Sequence, residues 1–216
     1  MTTHHTATLR RSLSALVLGT LLSTSALAEA PAKTWSTATV DEGRISVRYA
    51  VTEMTDAQGE TLPLIEYTVT TTDTVSLKDC VAVFKDVNNH KTLGIADKAK
   101  TISATDNDAL LYYGLEAPWP LPNTDIVVRM KFSEDDAGTA VFTQSAAPKA
   151  YPDQGVRRFN HYDMRYRFKD VGNGKTEVTL VASMSPGIPV PLFLLKAGVP
   201  DTAAKVIRNL VRLARH

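Results

Sequence analysis

The sequence predicts an α+β fold, in which a curved antiparallel β-sheet is closed on its apolar side by a long C-terminal helix. Three observations carry this. Segments between Arg44 and Ser185 alternate apolar and polar residues with a period of two, so each has one greasy face and one wet face. The period lengthens to that of a helix at Ser76–Val87 and again from Thr202 onward. Turn sequences rather than crossover segments join the strands, which favours antiparallel neighbours.

The chain starts with a different signature. Arg10 and Arg11 precede an apolar run from Leu13 to Leu22 and then small residues ending Ala26-Leu27-Ala28. That pattern predicts a secretory signal peptide over residues 1–28, since the run is about half the ~20 residues a membrane-spanning helix needs. A short lead, 29–34, would follow, then one domain over 35–216, with the periplasm or the exterior as the expected location. Cys80 is the only cysteine, so no internal disulfide forms and no lipid-carrying cysteine follows the signal. Without Arg10 and Arg11, 22 basic residues face 23 acidic ones, a balance that steers the protein to neither nucleic acid nor anionic surfaces.

In "RISVRYAV", Ile45, Val47, Tyr49 and Val51 share a face against Arg44, Ser46 and Arg48; in "LIEYTVTTT", Ile65, Tyr67 and Val69 alternate with Glu66, Thr68 and Thr70. "TDAQGE" between them predicts a hairpin. Leu77, Cys80, Val81 and Phe84 then line one face of a short amphipathic helix, with Ser76 and Asp79 placed as a capping pair. Strands follow at about 99–105, 108–116, 124–133, 139–146, 156–169 and 176–185. On the long strand Tyr162, Met164, Tyr166 and Phe168 oppose Arg157, His161, Asp163, Arg165 and Arg167. Asp201, after Pro200, has the character of a helix N-cap. Beyond it Ala203, Val206, Ile207, Leu210, Val211 and Leu213 form the apolar stripe that covers the sheet.

Common catalytic signatures are missing from the sequence. There is no G-x-S-x-G element, no phosphate-cradling glycine loop, and no metal-type spacing among His90, His161 and His216. His161 and Asp163 fall on the charged face, and Glu134-Asp135-Asp136 reads as a solvated turn rather than a calcium loop. No catalytic residue, metal or cofactor is expected. The inward set Tyr112, Met130, Tyr162, Met164, Tyr166 and Met184 combines adaptable thioethers with phenols, which describes either a filled core or the wall of a mostly apolar pocket.

Four stretches resemble the START family of lipid-transfer domains, within the helix-grip superfamily that also holds polyketide cyclases. They are Trp35 with Asp41–Val47, Val81–Asp86, Pro118-Trp119-Pro120-Leu121 through Asp125-Ile126-Val127, and Gly187-Ile188-Pro189. Thr124 stands where the family's motif usually has arginine, so a polar ligand contact from that position does not carry over. The resemblance implies a helix-grip fold, with the sheet wrapped around the C-terminal helix and an internal cavity between them. It further implies a hydrophobic small molecule or lipid as partner, transient membrane contact, and no nucleic acid. The alternative it leaves is a cyclase or dehydratase using cavity tyrosines. The candidate ligand-binding residues are then Tyr112, Trp119, Val128, Met130, Tyr162, Met164, Tyr166, Met184, Phe193 and Leu210. Prolines 118, 120 and 122 would stiffen the corner and bury Trp119 there. The segment "PGIPVPLFLLKAGVP" reads as either a membrane-touching gate or buried packing.

Overall fold

The computed structural model describes residues 33–215. The expected signal peptide and most of the 29–34 lead lie outside them. The elements run β1 Ser36–Val40, β2 Ile45–Thr55, β3 Thr61–Asp73, α1 Leu77–Lys85, α2 Asn89–Leu93, β4 Lys98–Ala104 and β5 Asp108–Leu115. They continue with β6 Thr124–Asp135, β7 Thr139–Ala146, β8 Arg157–Arg158, β9 Tyr162–Gly172, β10 Lys175–Met184 and α3 Leu192–Ala214. The strands form one curved sheet in the order β1-β2-β3-β10-β9-β7-β6-β5-β4, antiparallel throughout, with β8 added in parallel beside the start of β6. This is the helix-grip architecture that the sequence predicts.

The apolar faces read from alternation meet as expected. Val47, Val69, Leu180, Phe142 and Phe168 are buried together under the helices. Phe84 of α1 inserts its ring among them, 4.2 Å from the Tyr166 ring and 4.7 Å from that of Phe142 between centroids. Ser76 caps α1 by accepting from the Asp79 amide at 3.0 Å. Its hydroxyl donates in turn to the Asp79 carboxylate, a local variant of the expected pair. Helix α3 lies across β1, β2 and β3 and touches α1 and α2. Two charge-assisted contacts pin its C-terminal half: Arg208 grips Asp41 with both Nε (2.6 Å) and Nη2 (2.7 Å), and Arg215 donates to Asp73 at 2.6 Å.

Several elements differ from the sequence reading. Strand β1 and helix α2 were not expected; each is only five residues long, too short for either period to register. Helix α3 begins at Leu192 and runs through Pro200, so Asp201 lies inside it and is not its N-cap. Pro200 costs that helix one backbone bond, the one its missing amide would give to the Lys196 carbonyl, and packing of the stripe around Val199 and Ala203 sustains the helix across the gap.

The strand expected over 156–169 is broken between β8 and β9. Arg158 is the cause. Its guanidinium forms a two-pronged pair with Asp125 (2.8 and 2.7 Å) and donates to the carbonyls of Pro148, Tyr151 and Pro152. All five of its N–H donors are thereby used. Asp125 is fully buried. Satisfying it pulls residues 157–158 beside β6, and the chain re-enters the sheet only at Tyr162.

A buried pair broken from one side leaves the other charge stranded, at a cost of about 3–5 kcal/mol. Arg158→Ala should lower unfolding free energy by about that amount in urea titration. Arg158→Lys should recover only part of it, because an ammonium cannot make the two-pronged pair and three carbonyl contacts together.

Candidate functional site

One pocket of about 220 Å³ opens between the sheet and α3, and its wall is mainly apolar. The sheet contributes Ile65 and Tyr67 from β3, Ile126 from β6, Tyr162, Met164 and Tyr166 from β9, and Met184 from β10. Its rim comes from Gly94 and Ile95 after α2, Leu115, Phe159, Pro186, and Thr202 with Val206 of α3. Phe159 reaches this space because the Arg158 interruption reverses the side-chain parity of the expected strand. Gly94 ends α2 in the left-handed region (φ 83°), which glycine adopts without a Cβ penalty. The Ile95 amide then returns to the His90 carbonyl at 3.0 Å, so the same turn shapes the rim and orients His90.

Behind the pocket wall runs a buried chain of hydrogen bonds whose direction can be worked out. His90 Nε2 lies 2.9 Å from the Phe84 carbonyl, which only accepts, so this nitrogen carries the proton. Burial holds the imidazole pKa below its ordinary value, keeping the ring neutral, and Nδ1 is therefore bare. The Tyr113 hydroxyl donates to it at 2.7 Å and accepts from Gln144 Nε2 at 2.9 Å. Gln144 thus turns Oε1 toward Tyr162, whose hydroxyl donates to it at 3.3 Å. Burial raises the pKa of Tyr67, Tyr113, Tyr162 and Tyr166, and neighbouring phenols add to the effect at Tyr162 and Tyr166. All four remain protonated at neutral pH, so they are potential hydrogen-bond donors rather than bases.

Of the candidate residues, the structure brings Tyr162, Met164, Tyr166 and Met184 together on the pocket wall. Val128 and Leu210 are buried in the core beyond that lining, and Met130 is buried near Gln144, whose amide lies 3.6 Å from its sulfur. Met130 also borders a separate, polar-rimmed cleft beside α1 and β4. Tyr112 is on the opposite face of β5 from the pocket, its ring 5.4 Å from that of Tyr151; the inward tyrosine is Tyr113. Strand β5 is buried along much of both faces, so "ALLYYGL" has no alternation to assign parity.

Trp119 is 93% exposed, contrary to the expected buried corner. The 116–123 turn is closed by its own contacts, Asn123 to the Ala117 amide and Leu121 to the Pro118 carbonyl, which leave the ring without a packing surface. Phe193 is 70% exposed on the first turn of α3. Sequence reasoning missed Tyr67, Tyr113, Gln144 and His90 as site residues. The available signal was Gln144, a polar residue at an inward position two after Phe142.

Asp135 accepts from the Ala137 and Thr139 amides, so the 134–136 acids build a turn. Among the described residues no group of three or more His, Cys, Asp or Glu side chains is placed to hold a metal.

No protein-family profile matches the chain. An uncharacterized protein of Pseudomonas aeruginosa is 26% identical over 112 residues, which cover 51% of this chain and 55% of that relative's length. Among solved structures, a STAR-related lipid transfer protein fragment from Xanthomonas axonopodis superposes with a TM-score of 0.69 at 23% identity. It covers 84% of this chain and 99% of the fragment. Human STARD10 gives 0.65 at 19% identity, over 83% of this chain and 72% of its own. The Zhui aromatase/cyclase from Streptomyces gives 0.53 at 12%, over 70% and 94%. The chain has the START helix-grip fold.

Because His90 is held neutral by burial, the unfolded chain binds a proton at a higher pH than the folded one. Its contribution to stability is complete above the ordinary histidine value of about 6.5 and declines as pH falls below that, by up to about 1.4 kcal/mol per pH unit. Urea titrations between pH 7.5 and 5 should show this one-proton slope, and His90→Asn should flatten it while lowering stability overall.

Proposed function

We propose that this protein binds a hydrophobic small molecule in the pocket between β3, β9, β10 and α3, without chemical conversion. The observation that carries the reading is the pocket wall itself. It presents aliphatic, thioether and phenol side chains from four strands, and no charged residue lines it. Removing apolar surface from water supplies the affinity, at roughly 0.8 kcal/mol per CH₂, while a few polar groups set orientation. The Xanthomonas structural neighbour is named for lipid transfer, which supports a ligand of this general kind.

The protein is further proposed to act outside the cytoplasm, on the strength of the signal-like first 28 residues. Exchange of ligand would involve a membrane surface touched by Trp119, Phe193 and Leu194. These are three of the most exposed large apolar side chains, and the neighbours of two of their segments, Leu115 and Pro186, stand at the pocket rim. An enzymatic reading receives no support from the pocket: its phenols hold their protons, and His90 is separated from it by Tyr113 and Gln144.

The test is occupancy. Native mass spectrometry of the protein from its own cells should show a co-purifying apolar molecule. Val206→Phe, which fills the pocket from α3, should abolish that mass increment with little change in melting temperature. Protein that is empty and also takes up no compound from a panel of lipids and quinones would refute the proposal. On vesicles, Trp fluorescence should shift to the blue, and Trp119→Ser should remove most of that shift.

A further inference from the structure

The hydroxyl groups on the pocket wall narrow the kind of apolar molecule that fits. Tyr162 has its proton committed to Gln144, so its oxygen has only lone pairs left to offer. Tyr67 and Tyr166 differ. Neither hydroxyl has a hydrogen-bond partner among the described residues, the other tyrosine included. Ser185 Oγ is the one fully enclosed side-chain oxygen or nitrogen without a partner among those residues. The Tyr67 and Tyr166 oxygens therefore keep some access to open space although their side chains are buried, and the space these residues border is the pocket. Unpaired O–H donors facing an apolar hollow are costly unless a guest pairs them.

Resting on the proposal that this pocket binds an apolar molecule, we infer that its guest is uncharged, compact, and carries a hydrogen-bond acceptor such as a ketone carbonyl, held by the Tyr67 and Tyr166 hydroxyls. The volume of about 220 Å³ bounds the size. A cavity of about 150 Å³ takes up benzene, so this one suits a single substituted ring or a short chain rather than a two-chain lipid. Charge is excluded by the wall, which has no Lys or Arg to compensate a carboxylate taken out of water. Lys205 passes its stem over Gly94 at the rim but is not among the lining residues.

Calorimetric titration of the full-length chain with three probes of similar shape distinguishes an apolar pocket from one that also selects a hydrogen-bond acceptor. The probes are n-propylbenzene, propiophenone and 3-phenylpropanoate. The expected result is that propylbenzene binds, propiophenone binds about tenfold more tightly, and 3-phenylpropanoate binds at least tenfold more weakly than the ketone. In Tyr67→Phe/Tyr166→Phe the ketone should lose its advantage while propylbenzene binds as before. Melting temperature should hold, since no protein hydrogen bond is lost. Equal binding of ketone and hydrocarbon, a ketone preference that survives the double substitution, or carboxylate binding as tight as the ketone would each overturn the inference while leaving an apolar pocket in place. Failure of all three probes, or propylbenzene binding undiminished by Val206→Phe, would overturn the pocket reading and the inference with it.

Discussion

A carboxylate sealed from water organises this molecule. Asp125 sits at the start of β6, fully buried, and an ionised group there is tolerable only with a geometrically matched partner. Arg158 meets that demand with two parallel bonds and spends its remaining donors on three carbonyls of the 148–152 segment. The consequences spread outward from this pair. Residues 157–158 align beside β6, the loop before them is held against the sheet, and Tyr112 gains Tyr151 as a neighbour on the outer face. Gly187 closes on the same place: it has a φ of 67°, and a Cβ there would come within 3.2 Å of the Arg158 carbonyl oxygen. The exit from β10 and the entry to β9 are thus packed together at one edge of the pocket rim. Losing Asp125 or Arg158 would disturb the pocket through its rim, without touching any side chain on its sheet wall.

How much of this is legible in the sequence follows from how each residue is constrained. Where one face of a strand is wet, alternation identifies the inward side chains, and Tyr162, Met164, Tyr166 and Met184 do face inward. Where both faces are covered, as along β5, the signal vanishes and Tyr112 is chosen in place of Tyr113. The break at 159–161 is invisible because its cause lies far along the chain, in Asp125. Trp119 misleads for the opposite reason. Three prolines do predict a stiff corner, but stiffness says nothing about whether any element stands near enough to cover it. The start of α3 is missed because proline within a helix argues locally for a boundary, while the apolar stripe that overrides it is a property of the packed molecule.

The polar chain from Phe84 to Tyr162 explains a feature that composition leaves unaccounted for: a glutamine and a histidine inside an otherwise apolar core. Each is satisfied only in one orientation, and each orientation is imposed by the next group. The Phe84 carbonyl accepts from His90 Nε2 and so fixes its tautomer, the bare Nδ1 of His90 orients the Tyr113 hydroxyl, Tyr113 turns the Gln144 amide, and Gln144 orients Tyr162. A short helix after α1 and its glycine cap therefore determine the polarity of a hydroxyl on the pocket wall. The arrangement costs burial of several polar groups but specifies one packing among many that apolar side chains alone would permit.

Helix α3 combines two regimes in one continuous rod. From Ala203 onward its stripe is buried and its outer face is tied to Asp41 and Asp73 through Arg208 and Arg215. From Leu192 to Gly198 it is largely exposed, and Pro200 removes the backbone bond that would have linked the two parts at Lys196. Local opening is cheapest where few apolar contacts are lost and hydrogen bonds are already missing, which locates it at the N-terminal portion. Thr202 and Val206, the α3 residues on the pocket rim, lie just after the break, on the anchored side. A guest entering beside them would therefore need displacement of the exposed first turns and the proline-rich approach, and could leave the pinned half and the core beneath it undisturbed.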